Sequence, residues 1–352
     1  MLKNTVRKAA ILLAAAVVVT GLCTGCSKDK PAAAGAAQDV TGKIVIYTSM
    51  YEDIIEAVGK VIDKQFPNAT IEFFYGGTGT LQAKIAAEEA SGKLGCDMLM
   101  VAEPSYSLEL KEKGMLHPYV SREAANLAFD FDHEGYWYPV RISNMVLAYN
   151  PEKYAKNTIP NSLYDFAYDA GVQGAISMSN PLTSGTAMAS VTALRDKYGY
   201  DYFDALGQQS VMVESGSVAL TKLETGECKV IMILEESVLK KREEEGSKLE
   251  VIYPTDGTIV IPSTIMTIND DWSANRNTAA AAAITDFFLG PEGQAAIVAG
   301  WMHSPRNNPK APYDAIPTAQ IRGNSMAVIW ENVFRQRQEI RTRFEELVTS
   351  RR

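Results

Sequence analysis

At 352 residues the chain is long enough for two lobes, each with its own core. Apolar residues make up 46% and charged residues 22%, the balance of a folded globular protein. The net charge of −8 argues against a nucleic-acid binder, which needs Lys and Arg to displace counterions from phosphates, yet it leaves room for a small anion held at a local site.

The chain opens on "MLKNTVRKAAILLAAAVVVTGLCTGC", with Lys3, Arg7 and Lys8 ahead of an apolar run from Ala9 to Val19. That run is too short to span a bilayer comfortably, so residues 1–25 are expected to be a signal peptide. Cleaving it would take the net charge from −8 to −11. "CTGC" resembles a bacterial lipoprotein box in which Cys26 is lipidated, although Cys23 stands where Leu is usual. Residues 26–41, rich in Ala, Gly and Pro, are expected to be a tether. The mature protein is therefore expected outside the cytoplasm, either periplasmic or anchored to the cell membrane through its N-terminal lipid. Cys96 and Cys228, each at the start of an apolar run, are expected as buried small hydrophobes and not as a disulfide.

From Lys43 the pattern alternates. "KIVIYTS", "TIEFFYG" and "CDMLMVA" read as strands, and "YEDIIEAVGKVIDKQF" and "LQAKIAAEEA" as helices. Strands without polar alternation, separated by helices, indicate a parallel sheet covered on both faces. Ligands bind such sheets beyond the carboxyl ends of the strands. That rule places Thr48, Ser49, Met50, Tyr51, Gly77, Thr78, Gly79, Thr80, Ala102 and Glu103 on one rim. "YWYPVRISNMVLAYNPEKY" is a long extended run suited to carry the chain to a second lobe, and "TIVIPSTIMTI" is a plausible return. The expected fold is α/β: two lobes, each a mainly parallel sheet flanked by helices, joined by a two-strand hinge. Residues 42–141 and 260–352 are assigned to the first lobe and 142–259 to the second.

Three loops of one chemical type precede helices: "GGTGT", "TSGT" with Ser184, Gly185 and Thr186, and "ESGS" with Ser215 and Ser217. Helix N-termini carry unpaired N–H groups and partial positive charge, so Gly and hydroxyls there can cradle an anion; each loop alone also reads as a turn with a capping residue. "GGTGT" lacks the dinucleotide spacing, and no Walker motif is present. The charged candidates are Arg141, Arg306, Glu103, Glu235 and Glu236. Of the adjacent glutamates, one is expected at a ligand amine or hydroxyl and the other as a solvated first-turn residue. Arg306 could pair with an anion or with a surface acid. His117, His133 and His303 show neither metal-ligand spacing nor a catalytic order, so no catalytic residue and no cofactor are assigned.

From about Gly42 to Pro312 the chain resembles the ferric-iron and phosphorylated-compound branch of bacterial ABC-transporter solute-binding proteins. The resemblance rests on "IVIYTSMYEDIIEAVGKVIDKQFPN", "GGTGTLQAKIAAEEASGKLGCDMLMV", "SNMVLAYNPEKY", "TSGTAMASVTAL", "SGSVALTKLETGE", "YPTDGTIVIPSTI" and "FFLGPEGQAA", in that order. It implies a type II periplasmic-binding-protein fold that closes on a small solute and delivers it to the transmembrane subunits of a permease. It further implies an anion held at Ser184, Gly185 and Thr186, and a monomer that binds no nucleic acid. Iron-binding members carry adjacent tyrosines where this chain has Glu235, Glu236 and Ser237, and often a His where it has Tyr51. Ferric iron wants hard anionic oxygens, so this departure favours a phosphorylated or phosphonate organic solute. A ferric site of Tyr51, Glu103 and Glu236 is the alternative. Two others are a ligand-sensing partner of a membrane histidine kinase, and an enzyme using Cys96 or Cys228.

Overall fold

A computed structural model describes residues 40–350; the expected signal peptide, Cys26 and nearly all of the expected tether lie outside the described residues. The chain begins with β1 (Gly42–Thr48), α1 (Glu52–Gln65), β2 (Ala69–Tyr75), α2 (Thr78–Glu89), β3 (Met98–Ala102), α3 (Ser105–Glu112) and the short β4 (Leu116–His117). β5 (Tyr138–Tyr149), buried along its whole length, leads away from this group. There follow α4 (Leu163–Tyr168), β6 (Ile176–Ser179), α5 (Gly185–Tyr198), α6 (Asp201–Gln208) and β7 (Met212–Glu214). Next come α7 (Gly216–Thr225), β8 (Val230–Leu234), α8 (Glu235–Glu245) and β9 (Glu250–Ile252). β10 (Thr258–Ile268) returns, and the chain ends in α9 (Thr278–Leu289), α10 (Pro291–Ala299), α11 (Thr318–Gly323), β11 (Ser325–Met326), α12 (Trp330–Arg335) and α13 (Arg337–Phe344).

The architecture is the expected mixed α/β fold, with one refinement: the strands form one hydrogen-bonded sheet. Its order is β2-β1-β3-β10-β5-β8-β6-β7, with β4 and β11 paired to β10 and β9 to β5. β1 is parallel to β2 and β3, and β6 is parallel to β7 and β8. The long β5 and β10 lie antiparallel to each other and to β3 and β8, so they splice two parallel triplets into one sheet.

Period-two alternation explains how unbroken apolar strands serve two layers. In β3, Met98 and Met100 enter one core cluster, and Leu99 and Val101 enter the cluster on the opposite face. In β8, Val230 and Met232 pack on one side, and Ile231 and Ile233 on the other. Cys96 and Cys228 are free and buried within these cores. Burial pushes both thiols up, Cys228 to about 12, which removes the thiolate a nucleophile needs.

The lobe division needs correction at its C-terminal end. Met326, Val333, Ile340, Phe344 and Val348 share a core with β6, β8, α5 and α6, so the apolar face of residues 325–350 packs on the second lobe, while Arg335 and Arg337 reach α3 of the first. The cause is apolar spacing along α12 and α13, which offers a face that the second lobe covers; Phe344 meets Phe203 edge-on at 5.4 Å. Within the hinge strands the core changes between Val140 and Met145, and between Ile261 and Ile265, which puts the return crossing slightly after the boundary expected at 260. Among the described residues no helix is long and apolar enough to cross a membrane.

Candidate functional site

The carboxyl ends of β1 and β3 place the first rim residues. Thr48 Oγ1 accepts from the Met50 N–H at 3.1 Å, which turns the chain toward α1. The Ala102 N–H donates to Ser49 Oγ at 3.1 Å and to Thr78 Oγ1 at 3.3 Å, tying the ends of β1 and β3 to the start of α2. Glu103 follows with φ of 68°, a left-handed backbone uncommon for a residue with a side chain. Its buried carboxylate accepts from the Ser105 N–H at 2.7 Å, and Arg337 stands 3.8 Å away. Burial pushes the Glu103 carboxyl up, and Arg337 pulls it back part of the way.

The two glycine-hydroxyl loops meet across the lobes. Gly79 N–H donates to the Thr183 carbonyl at 3.1 Å. A Cβ on Gly185 would lie 2.9 Å from Thr78 Cβ, and one on Gly79 would lie 2.8 Å from the Leu182 carbonyl, so both positions need glycine for this approach. Ser184 Oγ caps α5 by accepting from the Ala187 N–H at 3.2 Å and sits 3.0 Å from Thr186 Oγ1. A cavity of about 10 Å³, lined by Gly79, Gln82, Glu103, Ser184, Gly185 and Arg337 among others, remains at the junction. That is room for about one water, so a larger occupant requires the loops to part. Thr80 lies exposed in the first turn of α2. Ser215 and Ser217 are exposed one strand further out, 3.1 Å apart at the start of α7. The link from them to the α5 loop is the Asn180 N–H, which donates to the Glu214 carbonyl.

Two arginines from α13 back the junction. Arg337 donates to Glu109 at 2.9 Å and to Ser105 Oγ at 2.8 Å, and its buried Nε has no partner among the described residues. Arg341 reaches the Leu182 carbonyl at 3.4 Å. Sequence reading missed both. Their basic helix, "RQRQEIRTRF", carries no signal that it folds back onto a cleft more than 150 positions earlier in the chain.

The adjacent glutamates at the start of α8 are both buried, which corrects the expectation of a solvated one. Glu235 accepts from Asn144 at 2.6 Å, sits 3.0 Å from His303 Nε2 and is hydrogen-bonded by the Tyr253 hydroxyl. With three partners it is part of the framework, and His303, also bonded to Thr318 Oγ1 at 2.8 Å, has a structural place. Glu236 accepts from Ser143 Oγ at 2.9 Å and lies 4.0 Å from Arg141 Nη1. Burial pushes its carboxyl up, against the pull of Arg141. Tyr51 is exposed along part of its ring; burial and the Glu236 charge push its phenol up, with Ser237 and Arg141 acting the other way. Of the two alternatives for Arg306 the structure shows the acid: it pairs with Glu123 at 2.7 Å and with the Leu289 carbonyl. Among the described residues no group of three His, Cys, Asp or Glu side chains could hold a metal ion. The glutamates of the alternative ferric set are engaged separately, Glu103 with Ser105 and Glu236 with Ser143.

Residues 96–324, more than half of the chain, match the family model of the bacterial extracellular solute-binding proteins. No curated protein matches the chain in sequence. Among solved structures, the periplasmic binding protein AfuA from Actinobacillus pleuropneumoniae, with fructose-6-phosphate bound, superposes with a TM-score of 0.76 at 21% identity, covering 88% of this chain and 99% of that one. Iron-bound HitA from Pseudomonas aeruginosa gives 0.75 at 20% identity over 87% and 99%. The ferric binding protein from Campylobacter jejuni gives 0.70 at 16% over 86% and 99%. At these identities the likeness establishes the fold.

Proposed function

The chain belongs to the bacterial extracellular solute-binding proteins, a non-enzymatic family that serves ABC importers, and on that premise we propose that its solute is a small phosphorylated or phosphonate organic anion. One observation carries this reading. The glycine-hydroxyl starts of α2 and α5, from opposite lobes, abut with Arg337 and Arg341 behind them. Two helix N-termini with the Arg341 guanidinium behind them favour an anion with several oxygens, while Arg337 is already paired with Glu109 and Ser105. The relatives at this fold include one with a sugar phosphate bound and one with iron bound. The absence of a tyrosine pair at Glu235 and Glu236 favours the former chemistry.

Capture then follows from the hinge. The lobes part about β5 and β10, the phosphoryl or phosphonate group enters between Thr78–Gly79 and Ser184–Thr186, and closure presents the loaded protein to the permease. A thermal-shift screen of phosphorylated sugars, phosphonates, thiamine and ferric salts tests this, because a ligand that binds only the folded state raises its melting temperature. A phosphorylated or phosphonate compound is expected to stabilise the protein. A coloured ferric complex with no such shift would replace this reading by the iron one.

The lipid anchor at Cys26 is part of the same proposal, supported by the basic start, the short apolar run and the small residues before that cysteine. Cys26→Ser expressed in a bacterial host is expected to move the protein from the membrane to the soluble fraction. Equal membrane retention of the variant would refute the anchor.

A further inference from the structure

Beyond the loop junction, the hinge strands carry buried polar groups that lack proper partners. Arg141 on β5 is only 5% exposed, and among the described residues its guanidinium donates a hydrogen bond only to the Met302 sulfur, at 3.0 Å. A thioether is a weak acceptor, and a guanidinium offers five donors. The nearest carboxylate oxygen, Glu236 Oε1, stands at 4.0 Å, beyond hydrogen-bond reach. Directly opposite Arg141 on β10 is Ser263, whose buried hydroxyl has no hydrogen-bond partner among the described residues. Cross-strand partners leave the same face of a sheet, and so does Ser143, two positions along β5 from Arg141. Ser143 in turn holds Glu236 at 2.9 Å. The pairing of β5 and β10 shifts register between Ser263 and Thr264, the kind of irregularity that re-aims side chains at functional sites. Tyr51 and Tyr75, whose charges would act on Arg141, are themselves partly exposed.

We propose that Arg141, Ser263 and Glu236 form a second recognition subsite on the hinge strands. Arg141 and Ser263 donate to anionic oxygens of the solute, and Glu236 accepts from an amine or hydroxyl on a neighbouring atom. Buried polar groups are nearly always satisfied, so an orphaned hydroxyl beside a cation and an acid held just out of contact point to a guest that satisfies all three. The subsite rests on the reading of an anionic solute and narrows it: the solute carries a hydrogen-bond donor close to its charge. A role for Arg141 as the mere counter-charge of Glu236 is the competing account, and it makes the opposite prediction about stability.

The test compares the wild type with Arg141→Met, Ser263→Ala and Glu236→Gln by calorimetric titration and by melting without ligand. The probes are 2-aminoethylphosphonate, ethylphosphonate and glucose 6-phosphate. Arg141→Met and Ser263→Ala are expected to melt within about 2 °C of the wild type, since neither breaks a strong hydrogen bond. Arg141→Met is expected to weaken the best probe on the order of 100-fold, and Ser263→Ala roughly fivefold. Glu236→Gln is expected to weaken 2-aminoethylphosphonate more than ethylphosphonate. Unchanged binding in Arg141→Met and Ser263→Ala overturns the subsite, as does a ligand-free melting point lowered by more than about 6 °C in Arg141→Met. If the wild type binds no probe, the anionic-solute reading itself fails. The subsite, which rests on that reading, then fails with it; a wild type that binds a probe only as well as Arg141→Met and Ser263→Ala do overturns the subsite alone.

Discussion

Glu235 and Glu236 are neighbours in sequence with different surroundings. Glu235 is held by Asn144, Tyr253 and His303, whereas Glu236 has one hydroxyl partner and an arginine at a distance. Nothing in "LEES" separates them, because the groups that do come from β5, the residue after β9 and the segment after α10. What was legible was chemical type: acids at the carboxyl end of an apolar strand. Glu103 shows the cost of such a place. Its carboxyl is pushed up by burial, so the folded state favours the neutral form. Its contribution to stability is therefore fully present below the ordinary glutamate pKa of about 4.3 and is lost as pH rises through the elevated folded value. Glu103→Gln, which cannot ionise, is expected to escape that loss. In paired urea titrations its stability relative to the wild type should rise with pH across that window. A difference that stays flat or falls with pH would count against the assignment.

At the scale of elements, the strands were the most legible because unbroken apolar runs between helices have few alternatives. The glycine-hydroxyl loops were legible as helix starts, and their glycines at 79 and 185 prove to be close-approach positions as well. The C-terminal residues 325–350 were assigned to the first lobe, whereas their apolar face packs on the second. Amphipathic spacing shows that Val333, Ile340 and Phe344 need cover and does not show which core supplies it. The packing makes a direct prediction. Phe344 is fully buried against Phe203, so Phe344→Ala is expected to destabilise the protein by about 3–5 kcal/mol. A change below about 1 kcal/mol in urea unfolding would mean that α13 contributes little to that core.

For the molecule as a whole, the two lobes touch through glycine loops on one hand and polar bridges on the other. Lys240 and Glu243 of α8, a helix rooted in the second lobe, reach Asp53 of α1 and Trp301 next to the first-lobe core. On the other side Arg335 pairs with Glu112 of α3. Most of these bridges are exposed, and exposed pairs contribute only about 0.2–1 kcal/mol each. Contacts of that size can be broken and remade by a ligand's binding energy, which suits the opening and closure proposed above. The two-lobed plan and its two crossings were legible from chain order. The single spliced sheet was not, since strand pairing across the hinge depends on register and not on composition. The central claim is capture of an organic phosphate or phosphonate between the α2 and α5 loops. Calorimetric titration of the wild type and of Ser184→Ala/Thr186→Ala with the best compound of the thermal screen tests it most directly. The account predicts saturable one-to-one binding that weakens at least tenfold in the double variant; equal affinity in the two proteins would contradict it.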